Sequence, residues 1–258
     1  AKKYIKNGDI FQVVPSQRFE TKYTGSVLKL YQALRKTNPS PFMYYFNFPR
    51  FKIVGSSPEI LVRLRNKKIT IRPIAGTRPR GKTKKLDNKY AKDLLEDKKE
   101  IAEHLMLLDL GRNDVGRVAN KSSVKVTSEF EIEKYSHVMH IVSNVEGKVS
   151  SDKTAFEALM AGFPAGTVSG APKIRAMQII DELENTKRGI YAGGIGYITS
   201  DGEMDTCIAL RTGIISNNTL FVQAGGGVVY DSDPNKEYEE TVNKAKALFN
   251  AAEIAIAN

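Results

Sequence analysis

The chain has little cysteine and no long apolar run, and these absences exclude several classes of protein. Its one cysteine, Cys207, cannot form a disulfide within the chain, so we expect a reducing, cytoplasmic setting. No apolar run approaches the ~20 residues of a membrane-spanning helix. The first residues, AKKYIKNGD, lack the apolar segment of a secretory signal. They also lack an initiator methionine, and we expect the chain to be a fragment whose upstream part is missing.

The excess of basic residues allows two interpretations. The 39 Lys and Arg residues outnumber the 29 Asp and Glu residues, which gives a formal net charge of +10. Such a charge is typical of a nucleic-acid surface or of a background that attracts small anionic substrates. The densest basic stretch, residues 78–85, is a loop-like segment without interleaved aromatic residues. We therefore interpret most of the charge as solvated surface and expect neither a nucleic-acid nor a membrane partner.

Hydrophobic periodicity predicts mixed sheets with interspersed helices, without the strict alternation of a parallel fold. The fold class is therefore α+β. One long helix is predicted with Leu94, Ile101, Leu105 and Leu108 on its buried face. The last helix is predicted to bury Val242, Ala245, Phe249, Ala252 and Ile256. The predicted strands are residues 42–48, 52–55, 60–64, 68–71, 124–127, 135–142, 195–200, 206–215 and 219–224, and the predicted helices are residues 86–110, 154–161, 172–183 and 235–257.

Two pairs of glutamates are the most informative chemical feature. Glu100 and Glu103 are three residues apart, so both project from one helix face. Glu237 and Glu240 repeat this spacing on the last helix, and Lys244 follows one turn later. Each pair alone is most often a solvated surface. If the two helices converge, however, four carboxylates need a cation, and an all-oxygen site suits Mg2+. The spacing of Cys and His residues does not match a zinc site.

Glycine-rich stretches form a second cluster. Gly225, Gly226 and Gly227 follow an apolar run, and Gly166 lies shortly before a predicted helix. Such glycines let backbone N–H groups approach an anion, although ordinary tight turns have the same composition. None of these stretches matches a phosphate-binding or dinucleotide-binding fingerprint, which argues against a nucleotide ligand.

Several blocks together resemble the chorismate-utilising enzymes. The resemblance covers essentially the whole chain in the family's order. It implies a layered fold of two β-sheet halves flanked by helices, with residues 1–258 forming one catalytic domain. The blocks are EIAEHLMLLDLGRND at 100–114, YSHVMH at 135–140, GTVSGAPKIRAM at 166–177, RGIYAGGIGY at 188–197, DTCIALR at 205–211 and residues 223–244.

The resemblance also implies a binding role for particular residues. A Mg2+ cofactor would be held by Glu103 and Glu240, with Glu100 and Glu237 holding its waters, and would grip the ring carboxylate of chorismate. A second group of residues would bind the enolpyruvyl carboxylate and line the rest of the substrate site. This group comprises Arg211, Tyr191, Lys244, Gly76, Thr77, Gly225, Gly226 and Gly227.

Three residues are implied to be catalytic. Glu59 would protonate the departing C4 hydroxyl, a role that needs a carboxyl kept neutral by its surroundings. His140 would assist the loss of pyruvate by removing a ring proton, and Thr167 would complete the anion cradle. A lone histidine is usually structural, but the YSHVMH context favours a catalytic role here.

Two positions distinguish the reactions of the family. Isochorismate and salicylate synthases have a Lys at the position of Gln12, where it activates water. Aminodeoxychorismate synthases commonly have a Lys at the position of Ala75, where it attacks the ring. Neither lysine is present, which favours ammonia attack at C2, as in anthranilate synthases. An aminodeoxychorismate synthase, a catalytically incomplete fragment and a non-catalytic binding domain remain alternatives.

The same resemblance implies a partner and an inhibitor. Ammonia would come from a glutamine amidotransferase subunit, component II, because the chain has no Cys–His nucleophile system of its own. The segment NPSPFM resembles part of a tryptophan-inhibition site. Its residues are Asn38, Pro39, Ser40, Pro41, Phe42 and Met43.

Overall fold

The computed structural model describes residues 1–135 and 138–257, so Ser136, His137 and Asn258 lie outside the described residues. The chain forms two compact units. The first unit comprises Ala1–Glu59, Val168–Ile195 and Cys207–Asn258, and the second comprises Ile60–Thr167 and Gly196–Thr206.

The secondary-structure elements are numbered in chain order. The helices are α1 (Lys2–Lys6), α2 (Val27–Thr37), α3 (Lys84–Glu96), α4 (Lys98–Gly116), α5 (Ala155–Gly162), α6 (Gly166–Ser169), α7 (Lys173–Leu183) and α8 (Pro234–Ala257). The strands are β1 (Gln12–Val13), β2 (Ser16–Lys22), β3 (Phe42–Asn47), β4 (Lys52–Ser57), β5 (Ile60–Arg65), β6 (Lys68–Ile71), β7 (Ile74–Pro79), β8 (Lys125–Lys134), β9 (Val138–Lys148), β10 (Gly170–Ala171), β11 (Gly194–Ile198), β12 (Met204–Ile208), β13 (Thr212–Ser216) and β14 (Thr219–Gly225).

The first unit is built on an antiparallel five-stranded sheet in the order β2-β14-β13-β4-β3. Helices α2 and α8 pack against each other and form one hydrophobic core with strands β4, β13 and β14. Leu30, Leu34 and Leu248 are completely buried there, and small residues of α8 such as Ala251 let the two helices approach closely. This core supports the helix that carries Glu237 and Glu240.

A separate aromatic cluster of the first unit contains Tyr44, Ile53 and Cys207. The hydroxyl of Tyr44 hydrogen bonds to Thr212 Oγ1 at 2.6 Å. Its ring lies directly over Gly55 on the paired strand, where an added Cβ would come within 2.1 Å of the ring. Only glycine fits at this position.

The second unit is built on a seven-stranded sheet in the order β11-β12-β5-β6-β9-β7, with β8 also paired to β9. Helix α4 packs on β7 and β9, and α5 packs on β5. Leu94, Met139 and Ile141 form a fully buried cluster among α3, β7 and β9. The α+β class predicted from the sequence is confirmed.

The single helix predicted over residues 86–110 is wrong. Two helices replace it, because Asp97 has an extended backbone (φ −75°, ψ 105°) and its carboxylate caps α4 by accepting from the N–H groups of Lys99 and Glu100. The break restarts the helical phase. Leu105 is consequently 48% exposed, while His104 and Leu107 are buried in its place.

The strand predicted over residues 206–215 is also two elements, β12 and β13. Between them Arg211 has a left-handed backbone with φ 48°, which ends the extended run. The predicted buried face of the last helix is only partly right. Ala245 and Ala252 are buried, but Ile256 is 58% exposed, and Leu248 and Ala255 take up the core positions.

The other predicted strands and helices correspond to observed elements, most of them with shifted ends, whereas α1, α2, α6, β1, β2, β7 and β10 were not predicted. Within the described part of the chain, none of the helices combines the length and the apolar character that crossing a bilayer requires.

Candidate active site

Helix α4 presents the first glutamate pair in the second unit. Glu100 lies in its first turn, and Glu103 follows three residues later, so both side chains leave the same face. Arg78 of β7 binds this end of the helix. Its guanidinium donates to Glu100 Oε1 at 3.2 Å, to Asp97 at 2.8 Å and to Asp93 at 2.8 Å. The carboxylate of Glu100 is therefore held in one orientation before any ligand binds.

The backbone of Gly76 runs close to the same glutamate. A Cβ at Gly76 would lie 3.1 Å from Glu100 Oε2 and 3.0 Å from Leu94 Cδ1, and its φ of +68° is a left-handed conformation. The left-handed backbone favours glycine here, and a side chain would also make tight contacts with these two neighbours.

His140 on β9 is oriented by the segment that contains Gly76 and Thr77. Its Nδ1 donates to the Gly76 carbonyl at 2.8 Å, and Thr77 Oγ1 lies 3.1 Å from the same nitrogen. The ring packs edge-on to Tyr135. With the proton on Nδ1, Nε2 carries the lone pair of a neutral imidazole. This arrangement suits a general base.

Thr167 contributes a buried hydroxyl. Among the described residues, its Oγ1 has no hydrogen-bond partner. A buried polar atom without a partner is costly in a native fold and is often satisfied by a ligand or water. Thr167 belongs to the second unit, and its anion-binding role stays a prediction.

In the first unit, α8 carries the second glutamate pair and Lys244. Glu237 accepts a hydrogen bond from Ser232 Oγ at 2.7 Å, and an added Cβ at Gly226 would lie 3.2 Å from Glu237 Oε2. Lys244 Nζ lies 2.6 Å from Glu240 Oε1 and donates to the Gly225 carbonyl at 2.9 Å. The first unit thus brings the glycine stretch 225–227 against the acidic face of α8.

Arg211 and Tyr191 also belong to the first unit. Burial lowers the pKa of Arg211, and this effect is opposed by Glu240 and then by Tyr191. The hydroxyl of Tyr191 is close to Gly225, where an added Cβ would come within 2.8 Å of it. Burial raises the pKa of Tyr191 to about 12, so the phenol stays protonated and able to donate. Both are suitable donors for a carboxylate.

Glu59 is only 8% exposed and lies in the short connection between β4 and β5. Its carbonyl accepts from the N–H of Ile208 at 3.0 Å, which fixes the backbone, and its charge is close enough to contribute to the raised pKa of Tyr191. The side chain is thus largely removed from solvent.

Gln12 and Ala75, the two positions that distinguish the family's reactions, both lie in paired strands. Gln12 is 2% exposed in β1 and pairs with Ala171, and an added Cβ at the neighbouring Gly170 would strike the Gln12 carbonyl at 2.2 Å. Ala75 of β7 pairs with Ile141. Neither side chain can act as a base or as a nucleophile.

The predicted tryptophan segment lies at the end of α2 and the start of β3. Ser56 Oγ donates to the Asn38 carbonyl at 2.5 Å. Phe42 packs in the aromatic cluster with Tyr44, whereas Met43 packs in the core under α2 and α8. The two side chains therefore leave opposite faces of the sheet, and Pro39, Ser40 and Pro41 lie in the connection between these elements.

The predicted ligands of Mg2+ are divided between the two units. Glu100 and Glu103 belong to the second unit, and Glu237 and Glu240 belong to the first. Among the described residues, no group of three or more His, Cys, Asp or Glu side chains forms a metal site. The chemistry of the donor set nevertheless fits Mg2+, because all four side chains supply hard carboxylate oxygens.

Sequence reasoning missed two residues near the first glutamate pair. Arg78 binds Glu100, and His104 is completely buried on α4, the helix that carries Glu100. His104 Nε2 lies 2.6 Å from Ser143 Oγ, and burial lowers the pKa of this imidazole to about 4. The available signal for His104 was its position within the block at residues 100–114, and that for Arg78 was its place directly after Gly76 and Thr77. Of the block at residues 135–140, Ser136 and His137 lie outside the described residues.

Comparison with known proteins gives one family. The family described as chorismate binding enzyme matches residues 1–250. Anthranilate synthase component 1 from Cereibacter sphaeroides is 65% identical over 255 residues, covering 99% of this chain and 51% of that protein. Its counterpart from Aquifex aeolicus is 59% identical over 255 residues, covering 99% of this chain and 52% of that protein. The chain spans about half the length of these curated relatives.

Solved structures agree with the sequence comparison. The crystal structure of anthranilate synthase component I from Streptococcus pneumoniae matches with a TM-score of 0.90 and 51% identity, covering 96% of this chain and 55% of that chain. The menaquinone-specific isochorismate synthase from Escherichia coli matches with a TM-score of 0.89 and 26% identity, covering 97% of this chain and 58% of that chain. The order of blocks, the fold and the family match agree, and the chain belongs to the chorismate binding enzymes.

Proposed function

We propose that the chain is the catalytic part of a Mg2+-dependent anthranilate synthase component I, which converts chorismate and ammonia to anthranilate and pyruvate. The observation that carries this proposal is the buried Gln12 together with Ala75, in a chain 65% identical to an anthranilate synthase component 1. Gln12 cannot activate water, and Ala75 cannot attack the ring. Ammonia is itself a nucleophile and needs neither residue.

Substrate recognition is assigned mainly to the first unit. The guanidinium of Arg211 and the phenol of Tyr191 would donate to the enolpyruvyl carboxylate, and Lys244 would add positive charge beside the Gly225 carbonyl. In the second unit, Thr77, the backbone of Gly76 and the buried hydroxyl of Thr167 would line the substrate. Each of these groups is a donor or a close backbone approach, which suits a dicarboxylate.

The proton transfers are assigned to Glu59 and His140. In the first step, the ammonia lone pair forms a bond at C2, the ring double bonds shift, and the C4 hydroxyl leaves as water after accepting a proton from Glu59; the added ammonium group then releases its extra proton to solvent. In the second step, His140 Nε2 removes the C2 proton, the C3–O bond breaks and the ring becomes aromatic. The released enolpyruvate takes up a proton on its methylene carbon to become pyruvate. The hydrogen bond from His140 Nδ1 to the Gly76 carbonyl supports this role, because it leaves the lone pair on Nε2.

We propose Mg2+ as the cofactor, held by Glu103 and Glu240, with Glu100 and Glu237 holding its waters. When bound, this ion would neutralise and orient the ring carboxylate of chorismate. The orientation of Glu100 by Arg78, and of Glu237 by Ser232, supports the assignment, since preoriented ligands lose less entropy on binding.

We also propose a glutamine amidotransferase partner as the source of ammonia and residues 1–258 as the chorismate-binding domain, with part of a tryptophan site at Asn38–Met43. Cys207 is 1% exposed within the aromatic cluster around Tyr44, which argues against a nucleophilic thiol in this chain. The chain's coverage of about half of its relatives keeps a catalytically incomplete fragment as the second candidate.

The test is incubation with chorismate, Mg2+ and ammonium, followed by product fluorescence and chromatography. Anthranilate and pyruvate in equal amounts, and none without Mg2+, are expected. Accumulation of a stable aminodeoxychorismate would instead assign the other amination reaction. Chorismate binding without turnover would assign the incomplete fragment, and addition of a purified amidotransferase subunit with glutamine then tests whether the partner restores activity.

A further inference from the structure

We infer that Arg188 is a positioning residue for chorismate, which acts through Tyr191 and the Gly225 backbone without touching the substrate. The inference rests on the proposed function, because it concerns the residues assigned to the enolpyruvyl carboxylate. It is carried by a buried hydrogen-bonded bracket in the first unit, formed by Arg188 and Glu184.

The donors of Arg188 are bound on several sides. Nη1 donates to the Val168 carbonyl at 2.6 Å, and Nη2 donates to the Val14 carbonyl at 2.6 Å. Nε and Nη2 both donate to the carboxylate of Glu184, at 3.0 Å and 2.5 Å. The two side chains are only 18% and 6% exposed. A planar guanidinium that is bound in three directions has little freedom to rotate.

This fixed guanidinium lies over the ring of Tyr191, with Cζ 5.4 Å from the ring centroid. A cation at this distance attracts the ring face and restricts its tilt. The ring is almost completely buried, and its hydroxyl points to the Gly225 backbone. The direction in which the hydroxyl can donate to a carboxylate is therefore determined by the plane of Arg188.

The other partner of the bracket, Glu184, also binds the strand that pairs with Gly225. Glu184 Oε1 accepts from the Ser16 N–H at 2.7 Å and from Ser16 Oγ at 2.8 Å. Ser16 is the register partner of Gly225 in the β2–β14 pair. One ion pair consequently holds both Tyr191 and the strand beside Gly225, which are two of the groups assigned to the carboxylate.

Arg175 provides a matched control in the same unit. It also pairs with a carboxylate, Asp9, and its Cζ lies 5.1 Å from the ring centroid of a tyrosine, Tyr4. Within the described part of the chain, Arg175 donates to Asp9 and Gln178, and neither residue is assigned to the site. Arg175→Lys therefore reports the effect of loosening an arginine–tyrosine contact without a connection to substrate.

The experiment is a double-mutant cycle of Arg188→Lys and Tyr191→Phe, with steady-state kinetics for chorismate at saturating ammonium and Mg2+. Lysine keeps the positive charge but loses the planar set of hydrogen-bond donors of the guanidinium. We expect Arg188→Lys to raise KM about tenfold with kcat nearly unchanged, the size of coupling found between contacting residues. In the Tyr191→Phe background the same substitution should change KM less than about twofold. Arg175→Lys should leave both constants unchanged.

Equal KM effects of Arg188→Lys in both backgrounds would overturn the inference, as would a fall in thermal stability with no change in KM. If Arg188→Lys does not fold, the same cycle with Glu184→Gln decides, because that substitution keeps the shape of the bracket and removes its charge. A wild-type protein that neither binds nor converts chorismate would overturn the proposed function itself. Normal wild-type turnover with an additive cycle would overturn only the positioning role.

Discussion

The two units hold their candidate residues in different ways. In the first unit, cationic and phenolic donors surround a glycine stretch: Arg211, Tyr191 and Lys244 all lie near Gly225 or α8. In the second unit, acids and a histidine are held by neighbours, as Arg78 holds Glu100 and Gly76 holds His140. The proposed anion donors are thus concentrated in the first unit, whereas the proposed proton-transfer residues are divided, with Glu59 in the first unit and His140 in the second. The proposed reaction on a dicarboxylate needs both kinds of residue.

The largest effects should come from two single variants, each of which removes the charge of one proposed metal ligand, one in each unit. Glu103→Gln and Glu240→Gln keep side-chain volume but remove a charge from the proposed cation ligands. We expect each variant to lose about a thousandfold or more in turnover, since bound metal ions contribute several kcal/mol. Thermal unfolding and turnover against Mg2+ concentration are the measurements. Normal Mg2+ dependence in either folded variant would contradict the metal assignment.

Acid should destabilise the second unit, because His104 is completely buried there. Burial lowers the pKa of His104 from 6.5 to about 4, so the unfolded state binds more protons between these values. Stability is therefore lost as pH falls through this window, by about 3 kcal/mol. Urea unfolding at pH 6.5 and at pH 4 measures this loss.

The control for the acid effect is His104→Gln, which removes the titrating group and keeps a polar side chain near Ser143. It should be less stable than the wild type at pH 6.5 but lose less stability on acidification. An identical loss in both proteins would assign the acid sensitivity to carboxylates instead.

The smallest effects are expected from single substitutions of the proposed base in the second unit and of a proposed carboxylate donor in the first unit. His140→Gln removes the proposed base and should lower kcat about a hundredfold, the lower end for general base catalysis. Arg211→Lys keeps the charge but loses bidentate geometry, and we expect it mainly to raise KM, by about tenfold. Steady-state kinetics on both variants tests the division of roles. A kcat loss for Arg211→Lys as large as that for His140→Gln would remove the distinction.

Local patterns predicted several elements closely. Strand β6 has the predicted ends, and the predicted ends of β3, β5 and α7 differ from the observed ones by only one residue. The failures have physical causes. The break at Asp97 depends on a cap that competes with helix continuation, and periodicity does not detect it. The buried face of α8 is set by its contact with α2, which no local pattern contains.

The sequence by itself determined the family, because many blocks in a fixed order carry more information than any one of them. It also determined which reactive side chains are present and which are absent, such as the lysines missing at positions 12 and 75. Only the tertiary structure decided how those side chains are held: the tautomer-setting contact of His140, the grip of Arg78 on Glu100 and the bracket of Arg188 and Glu184. These contacts join residues far apart in the chain, and their geometry depends on packing that local sequence preference does not encode.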